Sequence, residues 1–375
     1  MVRQQRRRGS NTVLKEIYRR TGLPKMGYKL KRKALLCEDQ LMLTEQEALD
    51  TLEAFSPDPN QSCIAPKKLG DSYDLEIIVP AYNVEKYIEG CIESILSQKT
   101  SFRYHTTFID DGSTDATGRI LDSYSHLKDV LVIHQANKGF SGARNSGIDV
   151  SNGRYLMFVD SDDTIPPNAV QDLLSCAFET DADVVEGSHI LTTKNGHAYR
   201  RMRHKSGRIE SRKYMEGYAW AKVMKKELFE RVSFPLKYLY EDSIMSQIVY
   251  PLSKSMYGID AFVYNYRRNP LGISRGGSNR KQTIDSFWIT RKLYEDRSLL
   301  GLEKNQDYYE YILSMVKLTC QRTESMPEAI NKAIFIAYAD FIDHEFGGYK
   351  TNTKPDLEYA LRNRKYSMYK WYCRT

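Results

Sequence analysis

Long apolar runs are missing. No stretch of the 375 residues approaches the roughly 18 uninterrupted apolar positions that a membrane-spanning helix requires, and the richest late run, 333–342, carries Asp340 inside it. The basic N-terminus is not followed by an apolar segment, so a secretory leader is not expected. Cysteine is sparse, and the six thiols at 37, 63, 91, 176, 320 and 373 contain no CxxC pair, which argues for reduced thiols in the cytoplasm and against a structural zinc. The seven histidines form no HxxxH or other ligand cluster. Gly139, Gly142 and Gly147 have the wrong spacing for a dinucleotide loop, no GxGxxG follows the first predicted strand, and the phosphate-loop pattern GxxxxGK[ST] is absent. No internal repeat is visible.

What is present belongs to a globular chain. Apolar residues make up 41% and charged residues 27%, which excludes collagen-like, wholly disordered and disulfide-scaffold classes. The length suggests two domains, or one large domain with extensions. The net charge of +7 conceals an asymmetry: residues 1–35 hold twelve Lys and Arg against one Glu, about +11, and the rest is net acidic by roughly four.

Composition and periodicity separate three regions. Residues 1–70 form a basic extension, then a mixed helical stretch with Leu36, Leu41, Leu43, Ala48, Leu52 and Phe55, closed by a Pro/Asn/Ser-rich linker over 56–66. Within 71–278, apolar strand runs at 75–79, 106–109, 130–133, 155–159 and 183–186 alternate with helical periods at 84–98, 117–124, 141–150 and 166–178, the last opened by proline at its first turn. Alternation of this kind predicts an α/β domain with a mostly parallel sheet covered on both faces and ligands at the C-terminal strand ends. The alternation is regular over 71–189, whereas 190–278 reads as less regular. Residues 279–375 read as a helical, tyrosine-rich region.

Three polar clusters fall at predicted strand ends: Pro80-Ala81-Tyr82-Asn83, then Asp110-Asp111-Gly112-Ser113-Thr114-Asp115, then Asp160-Ser161-Asp162-Asp163. Carboxylates crowded at one sheet edge repel one another and raise each other's pKa unless a cation or hydrogen-bond donors share the site. Asp160 and Asp162, spaced DxD, are hard oxygen ligands suited to Mg²⁺ or Mn²⁺, which complete their shells with water and diphosphate oxygens. Asp111 with Gly112 and Ser113 suits a base or a ribose. Taken singly, each cluster reads equally as a turn or a helix cap; their recurrence at successive strand ends favours a ligand site.

The segments IIVPAYNVEKYIEGCIESILSQ, FIDDGSTDAT, NKGFSGARNSGI and YLMFVDSDDTIPP resemble, in order and spacing, the family 2 nucleotide-sugar glycosyltransferases, whose fold is glycosyltransferase A. The resemblance covers 75–274, and it implies that 71–189 is the nucleotide-binding half and 190–278 the acceptor half of the catalytic domain. It implies a uracil site lined by the Pro80–Ala81 backbone and the Tyr82 ring, with Asp111 on the uracil N–H and Glu85 as a lesser donor-site candidate. It implies that Asp160, Ser161 and Asp162 form the DxD motif, Asp162 the direct metal ligand and Asp160 nearer the ribose, with Arg144 close to the donor phosphates. Tyr240-Glu241-Asp242 resembles the ED motif, whose aspartate is the general base, so Asp242 would take the proton of the attacking hydroxyl in an inverting single displacement. Glu241 would then lie on the acceptor side. Without the resemblance, the Glu241-Asp242 pair reads as a helix N-terminus satisfied by its own amides. Trp220 and Lys222 match an acceptor-side segment, although a tryptophan is as readily core. Arg267, Arg268, Asn269, Ile273 and Ser274 resemble a stretch that folds over the diphosphate, with Arg268 on the phosphates.

The implied enzyme transfers a sugar from a UDP-sugar to a glycan or lipid-linked acceptor in cell-surface polysaccharide synthesis. Two other readings compete. A nucleotidyltransferase would carry a Gly-rich basic loop where this chain has PAYN, and a nucleic-acid-binding protein using the basic arm conflicts with the acidic strand ends, so no nucleic acid is expected. Residues 1–35 carry enough charge to gather at an anionic membrane surface, with Val13, Leu14, Ile17 and Tyr18 as a short apolar face, so the expected location is cytoplasmic with a peripheral hold on the inner plasma membrane; a disordered solubilising tail is the alternative. The basic run Arg200, Arg201, Arg203, Lys205, Arg208, Arg212, Lys213 either meets a phosphate-bearing acceptor or is a solvated loop. Donor sugar, linkage and oligomeric state are not legible.

Overall fold

The protein is described from a computed structural model that covers residues 23–37, 40–57, 62–269 and 281–374. The apolar face expected over 12–20, and Ile273 and Ser274, lie outside the described residues. The chain divides into two compact units, Ser56–Glu303 and a second one assembled from Met1–Phe55 with Lys304–Thr375. The sequence boundaries drawn at 70 and 278 both fall inside the Ser56–Glu303 unit.

In the larger unit, largely apolar runs form strands that are buried on both faces within the sheet, as parallel strands under helices must be, and only partly buried at the edge strand Val130–His134. These are β1 (Tyr73–Ala81), β2 (Tyr104–Asp110), β3 (Val130–His134), β4 (Gly153–Phe158) and β5 (Val184–Thr192). Helices Ile88–Leu96, Thr117–Asp122, Gly139–Asp149 and Ala169–Thr180 connect them. Asn168 caps the last helix, so Pro166 and Pro167 lie before its first turn rather than within it. The stretch read as irregular in sequence adds β6 (Ala198–Met202), β7 (Gly207–Arg208), β8 (Lys222–Lys225) and β9 (Met256–Arg267). The aromatic and β-branched residues along β9, Tyr257, Ile259, Phe262, Val263, Tyr264 and Tyr266, were the overlooked strand signal.

The strands are ordered β3-β2-β1-β4-β8-β5-β9-β7, with β6 paired to β5. Parallel pairing joins β1 to β2 and β4, β2 to β3, and β5 to β9, whereas β8 runs antiparallel between β4 and β5. The chain leaves β1 toward β2 and β3 and then returns past it to β4. This reversal opens a crevice above the C-terminal ends of β1, β2 and β4, the usual ligand position in open α/β sheets.

Side chains on alternate positions of β1 build two cores. Leu75, Ile77, Val79 and Ala81 pack with Ile88, Cys91, Ile92 and Leu173 on one face; Ile78 joins Ile109, Ala143, Ile148 and Phe158 on the other. Each such aliphatic side chain contributes about 1.5–3 kcal/mol on burial. Gly147 lets its helix approach that second face, because a Cβ there would come within 2.4 Å of Ile78 Cγ2. Glu76, buried mid-strand, is compensated by Thr107 Oγ1 at 2.7 Å, the His105 ring at 2.8 Å and the Asn152 N–H at 3.1 Å. The expected linker is fastened at its end, since Cys63 N–H and Sγ both donate to Asp296 Oδ2, at 3.0 and 2.8 Å.

The smaller unit is helical in its described residues, comprising Leu23–Leu36, Glu45–Glu53, Gln306–Arg322, Glu328–Phe346, Pro355–Arg362 and Tyr366–Arg374. Thr44 and Glu47 form a reciprocal capping box at the second of these, and Arg32 is joined to Asp356 at 2.6 Å. No helix among the described residues is long and apolar enough to cross a membrane.

Candidate active site

The β1 and β2 exits are stapled together. Asn83 sits in the left-handed region (φ 51°), and its Oδ1 accepts the Thr114 N–H at 2.8 Å while its own N–H donates to Ser113 Oγ at 3.1 Å. Glu85 N–H donates to Asp115 Oδ2 at 3.1 Å, and the Glu85 carboxylate accepts the Ala116 N–H at 3.0 Å. Glu85 thus holds the loop pair in place. Ala81 is buried and Tyr82 is 49% exposed, presenting its ring at the end of β1.

Asp110 and Asp111 do different jobs. Asp110 accepts the Ser113 N–H at 3.0 Å and faces the His134 ring at 2.8 Å; burial pushes its pKa up, but these bonds outweigh it and the carboxyl titrates below its ordinary range. Asp111, 2% exposed, accepts Gln135 Nε2 at 2.6 Å and the Lys138 N–H at 2.8 Å, both on Oδ1. Its own N–H donates to the Ala81 carbonyl at 2.9 Å, which ties the second cluster to the first. Gly112 follows with φ +75°, and a side chain there would press on Asn137 N at 3.0 Å.

The third cluster continues from β4. Asp160 N–H donates to Tyr264 Oη at 3.0 Å, and that hydroxyl donates to Asp163 Oδ2 at 2.9 Å. Asp163 is buried and also accepts the Arg267 N–H at 2.5 Å; burial, then Asp162 and Asp160, push its pKa well up. Asp162 accepts Asn269 Nδ2 at 2.9 Å, and its pKa is raised by burial first and by the Asp160 charge second. Ser161 is buried between them. Asp163 and Asn269, named in sequence only as members of the third cluster and of the stretch expected over the diphosphate, act here as positioning residues, together with Tyr264, which the sequence reading did not use.

Arg144, 8% exposed, connects this cluster to the ED segment. One guanidinium nitrogen donates to Asp160 Oδ1 at 2.9 Å and another to Glu241 Oε1 at 2.5 Å, with Phe234 under the guanidinium at 5.4 Å. Burial alone would lower the Arg144 pKa, but the two carboxylates raise it, while burial drives Glu241 up against the pull of Arg144. Glu241 is therefore held chiefly by Arg144, with its own backbone amide as a lesser donor. Asp242 is half-buried, and its charge reaches Glu241, Lys222 and Tyr250. Tyr240, immediately before the pair, has φ +72°, and a π-helical turn, Met245–Val249, follows; strained backbone of both kinds gathers at functional sites.

Trp220 is 8% exposed and lies in an aromatic stack between Tyr218 (centroids 3.6 Å apart, planes 6°) and Tyr264 (4.6 Å, 17°), with Tyr266 at 5.3 Å and the His189 ring edge-on at 5.0 Å. Ala221, at φ +60°, separates it from Lys222. Lys222 is fully buried: its Nζ donates to Tyr250 Oη at 2.7 Å and the Glu216 carbonyl at 3.0 Å and pairs with Glu186 at 3.4 Å. Desolvation lowers its pKa against the pull of Glu186. The lysine therefore belongs to an interior network. Arg267 stacks on Tyr87 at 5.2 Å, and Arg268, exposed, is anchored by its N–H to the Thr192 carbonyl at 2.8 Å.

Among the described residues no group of three or more His, Cys, Asp or Glu stands ready as a complete metal cage. Asp160 and Asp162 offer hard oxygens on one loop, a donor set that fits Mg²⁺ or Mn²⁺ sharing its remaining positions with water and phosphate oxygens.

Residues 76–233 match Glycosyl transferase family 2. The chain is 33% identical over 219 residues to glycosyltransferase GlyA of Streptococcus pneumoniae serotype 4, spanning 54% of this chain and 31% of GlyA, so under a third of that relative's length is represented. It is 32% identical over 248 residues to glycosyltransferase GlyG of the same organism, spanning 61% of this chain and 82% of GlyG. In fold it is similar to residues 1–349 of S. aureus TarS in complex with UDP-GlcNAc, with a TM-score of 0.61 at 18% identity, covering 80% of this chain and 90% of that one. A glycosyltransferase A-like sheet with a helical C-terminal region carries these motifs, and the chain belongs to glycosyltransferase family 2.

Proposed function

We propose that the protein is an inverting, divalent-cation-dependent transferase that moves a sugar from UDP to a hydroxyl of a glycan or lipid-linked acceptor in cell-surface polysaccharide synthesis. The observation that carries this reading is the Arg144 bridge, which brings the DxD loop and the ED segment to one buried cation at the sheet's C-terminal edge. The UDP-GlcNAc bound by TarS, a protein of similar fold, supports a uridine diphosphate donor.

In this reading the uracil lies against the Pro80–Ala81 backbone and the Tyr82 ring, with Asp111 accepting its N–H. Asp160 and Ser161 face the ribose, and Arg144 and Arg268 stand toward the diphosphate, where guanidinium forks match phosphate oxygens. Mg²⁺ or Mn²⁺ held by Asp162, with Asp160 beside it, supplies positive charge against the departing diphosphate. Asp242 accepts the proton of the acceptor hydroxyl as its oxygen attacks the anomeric carbon; the bond from that carbon to UDP breaks on the opposite face, inverting the configuration. Glu241 holds Arg144 at the join, and the Trp220 stack forms the acceptor-side wall, with Lys222 behind it.

Screening a panel of UDP-sugars for hydrolysis with Mn²⁺ and without acceptor tests the proposal. Metal-dependent release of UDP from at least one sugar is expected; no release from any, together with no UDP binding, would refute it.

A further inference from the structure

A single-sign surface adjoins the cleft. Residues 194–213 contain eight Lys and Arg and one acidic residue, Glu210, in a chain that is net acidic beyond its first 35 residues. Strand β6 lies in this stretch, held against β5 by a hairpin in which Thr193 N–H donates to the His197 carbonyl at 2.9 Å. Arg200, Arg201, Arg203, Lys205 and Arg208 are exposed, as is Tyr199 at 53%. Arg203 is neutralised by Asp260 at 2.7 Å and Arg208 lies 3.5 Å from Glu210; no ion pair to Arg200, Arg201 or Lys205 occurs among the described residues.

The register fixes where this charge sits. Arg200 pairs with Leu191, which pairs with Tyr266, and Ala198 pairs with Thr192, which pairs with Arg267. Residues directly opposite in a sheet project from the same face, so Arg200 stands two strands, about 10 Å, from Tyr266 on the face that carries the Trp220 stack. Arg200 therefore extends the acceptor wall outward, Arg201 projects from the opposite face of the same edge strand, and Arg208, paired with Tyr257 at the start of β9, lies beyond β9 and away from this edge. Edge strands commonly carry a charge to block pairing, but one or two suffice for that purpose. Here arginine predominates, and its planar fork suits oxyanions with paired oxygens.

We infer that the exposed edge strand β6 and the residues just after it form a track for a polyanionic acceptor glycan, whose repeated phosphate or carboxylate groups bind Arg200, Arg201 and Lys205 while its end reaches Asp242. This deepens the proposed transferase reading and rests on it for the end of the chain, though not for the binding itself.

The test is hydrogen exchange on the full chain with inorganic polyphosphate, polygalacturonate, neutral dextran or phosphatidylglycerol vesicles, beside thermal shift with UDP and Mn²⁺. Protection of 198–205 by polyphosphate or polygalacturonate and not by dextran is expected, and the polymer that protects identifies phosphate or carboxylate. The variant R200Q/R201Q/K205Q should lose that protection and bind the polymer about tenfold more weakly, as screened surface charges predict, with an unchanged UDP shift. These side chains are exposed, and the unchanged UDP shift also verifies folding. Protection confined to residues 1–35, equal protection in the variant, or protection by vesicles and neither polymer would overturn the inference. A missing UDP shift in the unaltered protein would instead count against the donor reading alone, because polymer protection is scored separately.

Discussion

Arg144 donates to Glu241 at 2.5 Å across 97 residues of sequence, and the pair is nearly sealed from solvent. Such a pair contributes less to stability than to geometry, since desolvation offsets much of its attraction. Its value lies in fixing the ED segment against the DxD loop. Arg144→Met should cost about 3–5 kcal/mol by leaving buried carboxylates uncompensated, and adding Glu241→Gln should recover part of that loss. Urea denaturation of the single and double variants measures the coupling; strictly additive losses would mean the two groups do not cooperate.

Asp242→Asn keeps the shape of the side chain and removes its capacity to accept a proton. Transfer should fall by 10²-fold or more, the range of general-base catalysis, with UDP affinity nearly unchanged by calorimetry. Near-normal turnover in that variant would remove Asp242 from the role of base.

Asp285 gives a pH signature. Burial raises its pKa to about 7 against the single Leu239 N–H that it accepts at 2.8 Å. A raised folded pKa means that the native state holds the proton more tightly than the unfolded chain, so the contribution is full below the ordinary carboxylate range. It is lost as pH rises through about 7. Stability measured from pH 4 to 8 should therefore fall less steeply in Asp285→Asn than in the parent, and parallel curves would contradict the assignment.

Gly147→Ala tests the helix–sheet approach. Its Cβ would meet Ile78 Cγ2 at 2.4 Å and Ile109 Cδ1 at 2.9 Å, so the helix carrying Arg144 must shift. A loss of about 1–3 kcal/mol, as for overpacked cores, is expected in chemical denaturation; a neutral result would show that the helix moves freely.

The nucleotide half was legible because its strands are apolar runs and its polar clusters stand directly after them, as at Ile109-Asp110-Asp111 and Phe158-Val159-Asp160. Local pattern sufficed there. The region after 190 was less legible, because β8 is inserted antiparallel between β4 and β5 and β9 pairs in parallel with β5, placements set by contacts between distant segments. Trp220 could be named from sequence, but its partners Tyr264 and Tyr266 depend on the β9 register. Lys222 resembled an acceptor-side residue and lies instead inside a network with Glu186 and Tyr250, because its buried neighbours come from three separate stretches. Likewise Glu85, grouped with the donor candidates, is engaged by the Ala116 amide.

The most direct measurement is the melting temperature of the full chain with saturating UDP, with and without Mn²⁺, for the parent and Asp162→Ala, using ATP as the control. A nucleotide bound at 100 times its Kd should add about 2.7 kcal/mol, a rise of several degrees seen with UDP plus Mn²⁺, reduced without the ion or in Asp162→Ala, and absent with ATP. No shift with UDP under any condition, or an equal shift in Asp162→Ala, would contradict a uridine diphosphate site built on the Asp160–Asp162 loop.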